Sequence, residues 1–194
     1  MLLAASASAY SAPKTVLVLG DSLSAEYGLN RGSGWVALLE KKLKAERISA
    51  KIVNASISGE TTSGGRARLP ALIRQHKPSV VVIELGANDG LRGQSLSQMK
   101  HNITAMVTKA KNGDARVLLV GVQLPPNYGG TYAGNFQRVY REVAREQKVA
   151  LVMDMLDGIA TNAALMHQDR IHPNARAQGN ILDNVWPALL PMLN

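Results

Sequence analysis

The amino-acid sequence predicts an α/β protein built on a doubly wound parallel sheet. Three observations carry that expectation. Strand-like apolar runs alternate with stretches of helical period along the chain. Polar clusters follow directly after several of those strands. A length of 194 residues suits one domain with its own core.

The elements read in order as follows. Thr15 to Leu19 is an apolar strand that stops at Gly20. A helix over 33–47 places Trp35, Leu38, Leu39 and Leu43 on one stripe. Lys51 to Asn54 is a second strand, and 65–75 reads as a short helix. Val80 to Leu85 is the strongest strand pattern in the chain. Met99, Ile103, Met106, Val107 and Ala110 mark a helix that stops near Asn112-Gly113, a good C-terminal signal. A fourth strand covers 116–121. Phe136, Val139, Tyr140 and Val143 mark the next helix, and Val149 to Met153 a fifth strand. The last helix runs through Ile181, Leu182, Val185, Trp186, Leu189 and Leu190, with Pro187 expected to kink it. Strands separated by helices require right-handed parallel crossovers, which place helices on both faces of the sheet. No repeat or low-complexity linker interrupts the pattern, so residues 13–194 read as a single domain.

Composition narrows the function. Hydrophobic residues at 46% and charged residues at 19% exclude a disordered tail or a coiled coil. No apolar run approaches the roughly 18–20 residues of a membrane span. The absence of cysteine excludes disulfides, thiolate zinc sites and a cysteine nucleophile. The 22 basic and 14 acidic residues leave a net charge of +8, which raises the question of nucleic acid. Two Trp, five Tyr and one Phe offer few stacking platforms, however. The cations are also dispersed over helix faces, as at Lys41, Lys42, Lys44 and Arg47, or Arg138, Arg141, Arg145 and Lys148. Solvated faces are the plainer reading, with weak attraction to anionic lipid surfaces left open. Nucleic acid is not expected as a partner. Residues 1–12 are small, apolar and uncharged, and Ala7-Ser8-Ala9 fits the small-x-small rule for signal cleavage. The segment reads as a signal-peptide remnant or a flexible start, which implies a periplasmic or secreted protein.

In a sheet of this kind ligands bind outside the carboxyl ends of the strands. Gly20-Asp21-Ser22-Leu23-Ser24 follows the first strand, 54–61 the second, and Gly86-Ala87-Asn88-Asp89-Gly90 the third. Asp169-Arg170-Ile171-His172-Pro173 lies near the C-terminus. These residue types suit acyl transfer. A serine hydroxyl needs a base to become a nucleophile, and histidine has the right basicity. A carboxylate holds the histidine tautomer, and donors must face the oxyanion. Ser22 sits at a sharp turn where its hydroxyl and amide can both reach the crevice. Gly59 can offer a bare backbone N–H and Asn88 a side-chain N–H. Taken singly, each motif is an ordinary turn or loop sequence. Together, and in this order at the strand ends, they point to a serine hydrolase.

Those four blocks resemble the SGNH (GDSL-type) hydrolase family: Gly20 to Ser24, Gly59, Gly86 to Asp89, and Asp169 to Pro173. The resemblance extends from Lys14 over nearly the whole chain. Segments 54–62, 67–72, 88–93 and 124–129 are similar to one subgroup, the periplasmic acyl-thioesterases of Gram-negative bacteria, which also act as lysophospholipases and arylesterases. It implies a three-layer α/β/α, flavodoxin-like fold with a five-stranded parallel sheet and no cofactor. It implies Ser22 as nucleophile, His172 as base and Asp169 as its orienting acid. The oxyanion hole would be the amides of Ser22 and Gly59 with the Asn88 side chain. Leu23, Leu124, Pro125 and Tyr128 would contact the substrate, a small acyl ester or thioester, in a shallow site on a monomer.

The chain departs from the subgroup at three places: Glu26 stands close behind the nucleophile turn, Ala87 beside Asn88, and Met153-Asp154-Met155 after the fifth strand. Glu26 could shift the pH optimum or simply face water. Asp154 and His167 are the rival acid and base, while His76 and His101 fall on helix surfaces. No histidine spacing supports a metal site. A carbohydrate acetyl-esterase and a non-catalytic acyl-lipid-binding module remain as alternative functions.

Overall fold

Among the described residues the sheet has five strands, all parallel. They are β1 (Lys14–Gly20), β2 (Ala50–Asn54), β3 (Val80–Glu84), β4 (Arg116–Val120) and β5 (Ala150–Val152), lying side by side in the order β2-β1-β3-β4-β5. The structure, a computed structural model, describes residues 14–194. The leader-like segment over 1–12 lies outside them. Among the described residues the helices are α1 (Trp35–Ala45), α2 (Thr62–His76), α3 (Ala87–Leu91), α4 (Leu96–Lys111), α5 (Gly130–Gln147) and α6 (Gln178–Leu189).

The central strands are apolar because both of their faces are covered. All five residues of β3 are buried, as are the last five of β1, whereas the edge strand β2 is only half-buried. On one face α1 packs against α6; on the other α2 packs against α4, and α4 against α5. The product is the expected three-layer α/β/α arrangement. The stripe foreseen on α1 is buried through Trp35, Val36, Leu39 and Leu43. The order 2-1-3-4-5 reverses direction between β1 and β3, which opens a crevice at their carboxyl ends.

Four elements differ from the sequence reading. Helix α2 begins at Thr62 rather than Gly65, because the Thr61 side chain caps it by accepting the Gly64 amide at 3.3 Å. Its Gly65 admits Leu85 so closely that a β-carbon there would lie 2.2 Å from Leu85 Cδ1. The segment read as a turn after β3 is the one-turn helix α3. Helix α5 starts at Gly130, ahead of the stripe that begins at Phe136, despite the poor propensity of the exposed Gly130 and Gly134. Helix α6 stops at Leu189, so Leu190, expected on its stripe, opens a 3-10 turn at Leu190–Met192.

Leu39 is 0% exposed between α1 and the sheet. Leu39→Ala is expected to lower unfolding stability by about 2–5 kcal/mol, read from the urea midpoint at unchanged m-value.

Candidate active site

Ser22 follows Asp21 in the tight turn after β1. Gly20 is needed there because a β-carbon would stand 2.6 Å from Glu84 Oε2 and 2.9 Å from Ser24. The turn is held by the Asp21 carbonyl, which accepts the amides of Ser24 and Ala25 at 3.3 and 2.9 Å. The Asp21 carboxylate accepts the Leu23 amide at 3.0 Å. The Ser22 hydroxyl is left half-buried at the crevice.

His172 arrives from a loop between β5 and α6. Asp169 Oδ1 accepts the amides of Ile171 and His172, each at 3.0 Å, and Arg170 between them takes a left-handed φ of 56°. The His167 amide donates to the His172 carbonyl at 2.8 Å, and Met166 pairs with Pro173. The loop is therefore a braced hairpin. It brings His172 Nε2 to 2.9 Å from Ser22 Oγ and His172 Nδ1 to 2.7 Å from Asp169 Oδ2. Burial raises the Asp169 carboxyl, but the His172 amide, the His172 ring and the Ile171 amide outweigh it and hold the group down at about 2. Asp169 is thus ionised at neutral pH.

The other sequence-predicted donors lie on neighbouring loops. Gly59 has φ of 78°, which only glycine adopts without strain, and Arg92 Nη2 donates to its carbonyl at 3.1 Å. Among the described residues neither the Ser22 nor the Gly59 amide is engaged in a backbone–backbone hydrogen bond. The Asn88 amide already donates to Asp21 Oδ2 at 3.1 Å and to the Glu60 carbonyl at 3.0 Å. Asn88 is fixed through its neighbour Asp89, whose carboxylate accepts the Thr62 amide at 2.9 Å and the Thr62 hydroxyl at the start of α2.

Of the four residues expected to contact substrate, Leu23 and Leu124 are core residues at 8% and 7% exposure. Pro125 and Tyr128 are half-buried. The Tyr128 hydroxyl donates to the Leu91 carbonyl at 2.9 Å, which ties segment 124–128 to the end of α3. A cavity of about 450 Å³ opens beside the His172 loop, lined by Thr161, Met166, His167 and Arg170 among others, and Ser22 does not line it.

The rivals are placed elsewhere. His167 Nε2 is buried against Gly28 and has no hydrogen-bond partner among the described residues. Asp154 accepts the Leu156 amide at 2.9 Å. Glu26 does not simply face water: it is half-buried. Its carboxylate accepts the amides of Gly32 at 3.0 Å and Gly34 at 2.7 Å, bracing the entry to α1. Two contacts were not anticipated. Tyr27 lies across the His172 ring at 4.4 Å between centroids. Gln178 accepts the Trp35 amide at 3.0 Å and donates to the Pro173 and Asn174 carbonyls at 3.4 and 3.2 Å. A glutamine at the start of an apolar helix was the available signal for the second.

Comparison with known proteins follows the same lines. Residues 18–179 match the model of the GDSL-like Lipase/Acylhydrolase family. The chain is 52% identical over 183 residues to esterase TesA of Pseudomonas aeruginosa PAO1, covering 94% of this chain and 91% of that one. It is 40% identical over 184 residues to thioesterase 1/protease 1/lysophospholipase L1 of Escherichia coli K12, covering 95% and 87%. A crystal structure of TesA superposes with a TM-score of 0.91 at 52% identity, over 92% of this chain and 99% of that one.

The depressed Asp169 carboxyl has a consequence for stability. A carboxylate held at about 2, against an ordinary 3.8, stabilises the fold above the ordinary value and loses that contribution as pH falls toward 2. Asp169→Asn should therefore melt below wild type at neutral pH, with the gap closing between about pH 4 and 2. Because Asp169 is 40% exposed, solvent screens the contribution and the Tm difference is small. Thermal melts across that range check it.

Proposed function

The chain belongs to the GDSL-like lipase/acylhydrolase family, and from that premise we propose that it hydrolyses esters and acyl thioesters through a covalent acyl-enzyme on Ser22. It is a carboxylic ester hydrolase, as are relatives named esterase, thioesterase and lysophospholipase. The single observation that carries the mechanism is the continuous array Ser22–His172–Asp169, with contacts of 2.9 and 2.7 Å.

In the proposed reaction Ser22 Oγ attacks the acyl carbon while His172 Nε2 takes its proton. Asp169 keeps the proton of His172 on Nδ1 and stabilises the imidazolium. The oxyanion forms toward the amides of Ser22 and Gly59, and it competes for one of the two protons that Asn88 gives to Asp21 and Glu60. Collapse breaks the bond to the alcohol or thiol, which takes the proton from His172. Water then attacks the acyl-enzyme with His172 again as base, releasing the acid and restoring Ser22.

The substrates proposed are short to medium acyl chains, aryl esters and lysophospholipids. The residues proposed to meet the acyl part are the half-buried Pro125 and Tyr128 and the buried Leu23 and Leu124. The array is complete within one chain, so the proposed reaction needs no residue from a second copy. Ala7-Ser8-Ala9 supports a periplasmic or secreted location.

Hydrolysis of p-nitrophenyl butyrate tests the reading. Asn88→Ala is expected to lower kcat by about a hundred- to a thousandfold, and Ser22→Ala by more than about a thousandfold. Near-wild-type turnover by Ser22→Ala would move the chemistry to another residue.

A further inference from the structure

Beneath Ser22 the protein buries three carboxyls, Asp21, Glu84 and Asp89, at 1%, 1% and 2% exposure. Among the described residues none of the three takes part in an ion pair. Asp21 and Glu84 meet at the same turn, and two adjacent buried charges there are too costly to hold together, so a proton is retained on that pair. Asp89 is engaged by Thr62. Asp21 receives the Leu23 and Asn88 amides and faces His172. The proposed mechanism gives Glu84 no part.

Its position is informative nonetheless. Glu84 is the last residue of β3, directly beside Gly20 in register. Its Oε2 accepts the Ser24 hydroxyl at 2.7 Å and the Asp21 amide at 3.3 Å. Ser24 can donate there because its own oxygen accepts the Trp35 indole N–H at 3.1 Å. One carboxyl oxygen therefore grips the turn on both sides of Ser22. The same Trp35 is bound through its backbone amide by Gln178, which holds the carbonyls of Pro173 and Asn174 just after His172. The grip thus belongs to a buried path that runs from the Ser22 turn to the His172 loop.

We propose that Glu84 is a positioning residue that acts as a neutral carboxylic acid, holding the Asp21–Ser24 turn so that Ser22 meets His172. Burial favours the protonated form, and the negative charge of Asp21 favours it further, so the Glu84 carboxyl lies well above the usual carboxylate range. Tyr140, which donates to the Leu85 carbonyl at 3.0 Å, is a second titratable group near it. Asp89 and His172 lie beyond Asp21. A neutral acid offers Oε2 as acceptor without adding charge beside Asp21, and glutamine reproduces that form.

The inference rests on Ser22 as nucleophile, which Ser22→Ala tests separately. Glu84→Gln, Glu84→Ala and Ser24→Ala are compared with wild type in kcat, KM and Tm on p-nitrophenyl butyrate. Glu84→Gln is expected to keep kcat within about threefold, and Glu84→Ala to lower it about tenfold or more with KM within about twofold. Ser24→Ala, which removes a single oxygen, should lower kcat in the same direction. Equal loss in Glu84→Gln and Glu84→Ala would show that a charge is required and overturn the neutral form. A lower Tm with unchanged kcat in Glu84→Ala would reduce Glu84 to a structural role. Full turnover by Ser22→Ala would instead remove the premise.

Discussion

The contact between Ser22 and His172 joins residues 150 apart in sequence at 2.9 Å, and the rest of the structure acts on that distance. Chain entropy opposes such a contact, since both partners sit in loops that would otherwise wander. The sheet supplies the first constraint by fixing where β1 ends. The braced hairpin after β5 supplies the second by fixing Asp169 against the amides of Ile171 and His172. Trp35 supplies the third. Wholly buried, it ties Ser24 with its indole and Gln178 with its backbone, so one residue touches the supports of both reacting groups.

The cost of this arrangement is a crevice floor rich in buried acid. Burial pushes the Asp21 carboxyl up to about 6, against the pull of the Leu23 amide, the His172 ring and Asn88. The same geometry engages Asn88 fully, since both of its N–H bonds already have acceptors. A donor held this way is pre-oriented yet not idle, so a developing oxyanion has to out-compete a carboxylate or a carbonyl for it. Its neighbour Asp89 keeps α3 from turning away by anchoring to the start of α2. Stability and orientation are here supplied by the same buried hydrogen bonds.

Much of this was legible beforehand because backbone rules confine it. Apolar runs such as Val80 to Ile83 and the stripe on α1 follow from burial on two faces or one, and their periods show it directly. Ser22, Gly59 and Asn88 were legible because they sit where a doubly wound sheet places its ligands. The starts of α2 and α5 were not, since Gly64, Gly65, Gly130 and Gly134 oppose a helix locally, and the close approach of Leu85 to Gly65 depends on a residue distant in sequence. Leu23 and Leu124 read as substrate contacts from their motifs, whereas their burial depends on neighbours distant in sequence. Tyr27, Trp35 and Gln178 act through tertiary contacts that no local pattern encodes. Glu84 did leave a trace: a carboxylate closing an otherwise apolar strand demands a buried partner.

The central claim is that Ser22 becomes acylated during turnover. The most direct test is to treat the folded protein with a p-nitrophenyl alkylphosphonate ester, which phosphonylates a nucleophilic serine as p-nitrophenolate leaves, and to map the modified peptide by mass spectrometry. The account predicts one adduct, on Ser22, formed in step with loss of esterase activity. Complete inactivation with the adduct on another residue, or full modification of Ser22 with turnover intact, would contradict it.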